Sequence, residues 1–263
     1  MNNFRFTSEP FTRELRIDSR FIAQHLDAEL KKIRDVVEAR QSAAIIAPAG
    51  SGKSFIMRSL KSNLPEARYR VSYLRLSNLS LRDMCRQLAM AIGTSPAGHF
   101  PALIKNVEEH IRSGFDAGVR PVILLDDAHE MRPEVLRILK ILTNFDMDSR
   151  LVVSFVLCGH TSLKQILLRP DMEDVLQRLV YCGELRLLTR EESKAYIKHR
   201  CMIAGLREEP FDPSAIDAIY EITHGNMRAI DKISLASLAV TDEKGRSLVE
   251  APDVAEARAR VWM

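Results

Sequence analysis

Two hydrophobic rhythms alternate along this chain as far as Leu188. Short strand-like segments occur at Ala43-Ala44-Ile45-Ile46, Arg70–Leu76, Pro121–Asp126 and Leu151–Cys158, and each reads as a strand. Between them, apolar positions recur at helical spacing. Residues 23–39 place Leu26, Leu30, Ile33 and Val37 on one face, and Ser80–Ile92, Ala102–Ser113 and Pro133–Asn144 follow the same period. Unbroken runs suit strands covered on both faces. Strands separated by helices predict a central parallel sheet flanked by helices, an α/β fold.

After Leu188 the strand signals stop. Thr189-Arg190-Glu191-Glu192 is a capping box opening a helix that runs to Gly205, and Asp212-Pro213 opens another that Gly225 closes. Met227–Val240 and Pro252–Val261 predict two more. The expected organisation is an N-terminal segment over residues 1–20 packing on the core, an α/β domain over 21–188 and a small all-α domain over 189–263.

Composition narrows the class without naming a function. The 263 residues are 46% apolar, ample for a buried core. No apolar run approaches the ~20 residues that cross a bilayer, and the polar start Met1-Asn2-Asn3-Phe4-Arg5 does not resemble a signal peptide. A cytoplasmic bacterial protein without a membrane partner is expected. Cys85, Cys158, Cys182 and Cys201 are scattered, so reduced, mostly buried thiols are expected rather than a zinc site. A net charge of +3 leaves a nucleic-acid partner open without demanding one.

The first strand runs into Ala47-Pro48-Ala49-Gly50-Ser51-Gly52-Lys53-Ser54, with a helical pattern from Phe55. Strand, glycine loop and helix in that order form a phosphate-binding loop. Gly50 and Gly52 permit the tight turn that aims backbone N–H groups, those of Ala49 and Ser51 included, at one anion. The helix adds its positive end. Lys53 reaches the β- and γ-phosphates of ATP, and Ser54 offers a hydroxyl to Mg²⁺. Ala47 stands where the usual pattern begins with glycine.

About 75 residues downstream, Val122-Ile123-Leu124-Leu125-Asp126-Asp127 sets two carboxylates at the end of a buried strand, where ligands of α/β sheets gather. Asp126 is expected to hold Mg²⁺ partly through water, as Walker B carboxylates do. Asp127 is placed to orient or deprotonate the attacking water. Many ATPases carry Glu there, and the shorter side chain is expected to slow hydrolysis or alter its geometry. Phe11, behind Pro10, is a candidate either to lie against the adenine or to pack the N-terminal segment onto the core.

Together with Glu9-Pro10-Phe11, Ala128-His129, Leu142-Thr143-Asn144-Phe145-Asp146-Met147-Asp148-Ser149, Val156-Leu157-Cys158-Gly159-His160, Arg178 and Gly225-Asn226-Met227-Arg228, these motifs span most of the chain. In that order they resemble the AAA+ P-loop ATPases, and within them the ExeA type, which serves secretion, and the TniB/TnsC/MuB type, which assists DNA transposition. The resemblance implies a sensor-1 role near the attacking water for His160, where related chains often carry Gln. It implies that Arg178 is an arginine finger reaching a neighbouring subunit, and that Arg228 is a sensor-2 residue coupling the helical lid to the γ-phosphate.

The transposition type further implies a homo-oligomer, ring or helical filament, assembled with ATP on double-stranded DNA. It would serve a transposase and a target-selection protein. Ending soon after the helical region, the chain is closer in layout to the transposition helpers than to secretion ATPases built into longer membrane proteins. The implied DNA face comprises Arg75, Arg82, Arg86 and Lys105, with Ser77, Asn78 and Thr94 adding hydrogen bonds, all to phosphates and so weakly sequence-specific. The alternatives are an ATPase component of a secretion or envelope-assembly machine, and an ATP-switched scaffold with negligible hydrolysis.

Overall fold

A computed structural model describes residues 4, 6–12, 14, 19–75, 77–206 and 209–261. Arg5 and Leu76, which fall in segments singled out above, lie outside the described residues. The chain divides into two units.

The larger unit, His25–Pro48 with Lys53–Leu185, is built on five strands: β1 (Ser42–Ile46), β2 (Tyr69–Arg75), β3 (Arg120–Asp126), β4 (Ser154–Gly159) and β5 (Leu179–Glu184). They pair in the order β2-β3-β4-β1-β5, every pair parallel. The α/β class with a parallel sheet is therefore as the sequence predicts. β1 and β4 are buried along their whole length, which is why their residues are apolar apart from Ser42 and Ser154. The edge strands are less covered: β2 mixes buried and exposed positions, and β5 alternates half-buried or buried positions with exposed ones.

Eight α-helices accompany the sheet among the described residues of this unit: α1 (Gln24–Glu38, from His25 on), α2 (Lys53–Asn63), α3 (Leu81–Ile92), α4 (Phe100–Asp116), α5 (Pro133–Leu136), α6 (Ile138–Leu142), α7 (Thr161–Leu167) and α8 (Glu173–Leu176). Leu26, Leu30, Ile33 and Val37 are the buried face of α1, as their spacing requires. Ser80 caps α3 by accepting the Asp83 N–H, and Gly93 ends it in the left-handed region at φ 86°. Leu88, Leu103, Ile123, Leu125, Phe155 and Leu157 belong to one continuous core linking α3, α4 and the sheet.

Three local expectations need correction. Pro133–Asn144 is two short helices, because the Lys140 N–H bonds the Arg137 carbonyl in a tightened i→i−3 step. Leu151–Val153 lies outside β4: Val152 and Val153 are apolar because they are buried, not because they pair. The fifth strand was not expected at all, since its Cys182-Gly183-Glu184 end carries little β-propensity.

The smaller unit comprises the described part of residues 1–24, Ala49–Gly52 and Arg186–Met263. Its helices are α9 (Arg190–Ile203), α10 (Pro213–Thr223), α11 (Met227–Glu243) and α12 (Ala251–Arg260). Thr189 and Glu192 form the expected capping box, and Asp212 caps α10 ahead of Pro213. The N-terminal residues group with these helices and not with the sheet. The cause is specific: the Thr7 N–H bonds the Ala204 carbonyl, the Arg200 guanidinium donates to Thr12 O, and Phe11 meets Phe211 edge to face at 6.1 Å.

Candidate functional site

Sheet register levels the strand ends that carry the chemistry. Ile46 of β1 pairs with Gly159 of β4, Leu125 of β3 with Leu157, and Arg75 of β2 with Asp126. The segments leaving these ends are the phosphate loop, Asp126-Asp127 and His160, so the larger unit brings Lys53, Ser54, Asp126, Asp127 and His160 to the C-terminal edge of one sheet.

The loop has the backbone its glycines predict. Gly50 sits at φ 75° and Gly52 at φ 105°. The Ala47 N–H bonds the Gly159 carbonyl at 3.0 Å, tying the loop's start to β4. Lys53 opens α2, and its Nζ donates to the carbonyls of Ala47 and Pro48 at 3.2 and 3.3 Å, with no carboxylate ion-paired to it among the described residues. An ammonium satisfied only by neutral carbonyls can transfer to a phosphate at small cost. Ser54 is exposed in the first turn of the same helix. Ser51 is buried.

Asp126 is only 7% exposed, yet no lysine or arginine pairs with it among the described residues. Its Oδ2 accepts the Tyr73 hydroxyl at 2.8 Å and its Oδ1 accepts the Asp127 N–H at 2.9 Å. A buried carboxylate held by neutral donors, with a serine hydroxyl offered from α2, is the hard oxygen set that suits Mg²⁺. When bound, Mg²⁺ would neutralise phosphate charge, and Ser54 and Asp126 are the residues that would hold it. Burial and the Asp126 carboxylate push the Tyr73 phenol up to about 12, so it remains a donor.

Asp127 lies in the left-handed region at φ 53°, an uncommon conformation for a non-glycine residue and one that Asp tolerates. Its Oδ2 accepts from the Nε of Arg75 at 3.1 Å. His160 begins the turn into α7, with Nδ1 3.0 Å from Thr161 Oγ1. Its ring lies 5.9 Å from that of His129, whose buried Nδ1 has no hydrogen-bond partner among the described residues. Tyr73 and His129 are the site neighbours to which sequence reasoning gave no role. For Tyr73 the signal was its spacing of two from Arg75 on one strand.

The Phe11 ring is 4% exposed, packed on Phe211 and under the Arg200 guanidinium 5.6 Å away. This geometry packs the ring within the smaller unit, not on the α/β core, and leaves no face exposed to an adenine. Arg178 follows α8 and forms an ion pair with Asp148 of the same chain. Asp148 closes a turn in which Asp146, Met147 and Asp148 are all left-handed, at φ 51°, 57° and 67°, with Met147 97% exposed. Arg228 lies in the first turn of α11, in the smaller unit.

Each of the expected DNA-contacting residues has a partner within the chain. Arg75 is paired with Asp127, Arg86 lies 3.7 Å from Asp83 and Lys105 3.6 Å from Glu109. Arg82 donates to the Gly98 carbonyl, Asn78 accepts from Arg132 Nε at 2.6 Å, the Ser77 carbonyl accepts the Leu79 N–H, and the Thr94 N–H closes the end of α3 on Ala89. Arg132, beside Asn78, is a cation that sequence reasoning missed.

All four cysteines are free, with Cys85, Cys158 and Cys201 buried and Cys182 exposed. Among the described residues no cluster of His, Cys, Asp and Glu forms a metal centre, and no helix is long and apolar enough to cross a membrane. A cavity of about 820 Å³ lies within the smaller unit, lined by Phe21, Ile197, Cys201, Phe211 and Ile216, and the phosphate loop takes no part in it.

Residues 34–167 match the AAA domain family, and the chain belongs to that family; it is an ATPase of the AAA+ class. It is similar to General secretion pathway protein A of Aeromonas hydrophila, 26% identical over 207 residues that make up 78% of this chain and 38% of that protein. The chain thus spans well under half of that relative's length. Among solved structures it is similar to Cdc6p of Pyrobaculum aerophilum, with TM-score 0.76 and 17% identity over 96% of this chain and 70% of the other. It is also similar to the Aeropyrum pernix ORC1 protein solved in complex with DNA, with TM-score 0.66 and 14% identity over 92% and 66%. At those identities the structures show the fold alone.

Proposed function

We propose that the chain is a Mg²⁺-dependent ATPase that acts as a nucleotide switch within a secretion or envelope-assembly machine. One observation carries the ATPase reading: register brings Lys53, Ser54, Asp126, Asp127 and His160 to one sheet edge. In that reading the loop amides and Lys53 hold the phosphates, and Ser54 and Asp126 hold the metal. Asp127 orients water, His160 senses the γ-phosphate, Arg228 is the helical unit's cation, and Arg178 acts on a neighbouring copy. The choice of client is supported by the similarity to General secretion pathway protein A. The scaffold alternative differs only in turnover, which Asp127 and His160 would set.

A second reading, transposition on double-stranded DNA, is favoured by the cations around the end of β2, Arg75, Arg82 and Arg132, and by the fold shared with an ORC1 protein bound to DNA. In that reading the chain forms a ring or filament on duplex DNA and serves a transposase.

The deciding experiment is binding to duplex DNA with and without ATP or a non-hydrolysable analogue, followed by electron microscopy, alongside phosphate-release assays. ATP hydrolysis with no ATP-dependent DNA binding supports the secretion reading. DNA-bound rings or filaments overturn it in favour of the second. Lys53→Ala should abolish nucleotide binding and any ATP-dependent oligomer, because it removes the main phosphate cation. Intact ATP-driven assembly in that variant would remove the site itself.

A further inference from the structure

Asn226 and Gly50, far apart in sequence, are fitted to each other within the smaller unit. The Asn226 side chain does two jobs at once. Its Oδ1 accepts the N–H groups of Arg228 and Ala229, capping α11, and its Nδ2 donates to the Ala49 carbonyl at 3.0 Å. Beside it the Met227 N–H donates to the Gly50 carbonyl at 3.1 Å. A Cβ on Gly50 would lie 1.9 Å from Asn226 Oδ1, so Gly50 is required by this contact as well as by its φ of 75°. The turn carrying Asn226 is itself clamped: Gly225 has φ 80°, a Cβ there would lie 1.9 Å from the Leu188 carbonyl oxygen, and the Leu188 N–H donates to Gly225 O.

These bonds have a directional consequence for phosphate binding. In a trans peptide the C=O and the next residue's N–H point opposite ways, and no cis bond occurs among the described residues. Fastening the Ala49 and Gly50 carbonyls to the start of α11 therefore turns the N–H groups of Gly50 and Ser51 to the loop's other side. Successive N–H groups around a left-handed residue form a concavity for an anion. We propose that Asn226 is a positioning residue that presets the phosphate-binding amides of the loop through the Ala49 carbonyl. Nucleotide phosphate then meets donors already aimed, without the cost of ordering them.

This inference rests on the ATP reading of the loop, and the test separates the two. Asn226→Ser keeps a helix cap but is too short to reach Ala49, and Asn226→Ala loses both functions. Equilibrium binding of fluorescent ATP and ADP, and competition by inorganic tripolyphosphate, are measured on the full chain together with thermal melting. The expected result is that Asn226→Ser binds ATP, ADP and tripolyphosphate roughly tenfold more weakly, the loss of one aimed donor set, with an unchanged melting curve. Asn226→Ala weakens binding at least as much and also melts earlier. Wild-type affinity in Asn226→Ser overturns the inference. So does a loss that merely follows a lowered melting transition, because Asn226 would then serve the fold alone. If wild-type protein and Lys53→Ala alike bind no nucleotide, the ATP reading falls and this inference with it.

Discussion

Arg75 at the end of β2 holds Asp127 at the end of β3 through a 3.1 Å contact from its Nε to the carboxylate Oδ2. Asp127 is the residue proposed to orient water, and its partner is a 76% exposed arginine that the sequence reading assigned to DNA. The guanidinium cannot keep this contact and also lie on a DNA phosphate through the same N–H. At that exposure the pair contributes at most about 1 kcal/mol to stability. Arg75→Ala should therefore melt with the wild type and hydrolyse ATP faster without any partner, because Asp127 is released to its water. Phosphate release in the absence of DNA checks this, and turnover below the wild-type rate would show that Arg75 assists the step.

Tyr73 makes the companion contact to Asp126. Tyr73→Phe removes one charge-assisted hydrogen bond, of a class worth about 1.5–3 kcal/mol, while leaving the ring in place. The ring stays in place, so the loss of stability should not exceed what that one bond is worth. The carboxylate, freed to rotate, should bind metal less well. A Mg²⁺ titration of nucleotide binding is expected to shift its midpoint upward about tenfold, with metal-free nucleotide affinity unchanged. An unmoved midpoint would show that the Asp127 N–H alone orients Asp126.

Both contacts explain why part of this site was illegible in the sequence. β1, β3 and β4 are readable because burial on two faces makes their middles apolar, and the phosphate loop is readable because its glycines and Lys53 are nearly contiguous. Tyr73 and Arg75 act through register: only the pairing of Arg75 with Asp126 across β2 and β3 brings them level with the two carboxylates. Asn226 acts on Ala49 across 177 residues, which no local pattern records. β5 was hidden for a different reason, since an edge strand with alternating exposure has no need of a continuous apolar run.

The cysteines offer a check on burial in the sheet and in two of the helices. Burial pushes the Cys85 thiol up to about 11 and the Cys201 thiol up to about 12, and it raises Cys158 further still. Thiolate is the reactive form, so these three should be inert in the native protein near neutral pH. Cys182, exposed on the edge strand β5, should be the single site of alkylation by a maleimide, with all four labelled after denaturation. Mass spectrometry of the labelled peptides decides this. Native labelling of Cys158 would contradict a β4 buried in mid-sheet.

Arg178 poses the question of whether a residue paired within its own chain can serve another. Its ion pair with Asp148 ties α8 to the left-handed turn at Asp146–Asp148. Asp148 is about half exposed, so solvent screening leaves the pair worth only a fraction of 1 kcal/mol. That is less than the several kcal/mol an arginine finger gains on a transferring phosphoryl group. The pair would therefore yield to a neighbouring copy's nucleotide. Arg178→Ala should keep the wild-type affinity of dilute protein for ATP and lose turnover or assembly by a factor of at least 100. Asp148→Ala should leave both nearly as they were, because it frees the guanidinium instead of removing it. Nucleotide affinity is read by fluorescence titration at low protein concentration, and turnover across a concentration series. Equal loss in the two variants would mean that the Arg178–Asp148 pair itself, as a brace on the turn, is what the protein needs.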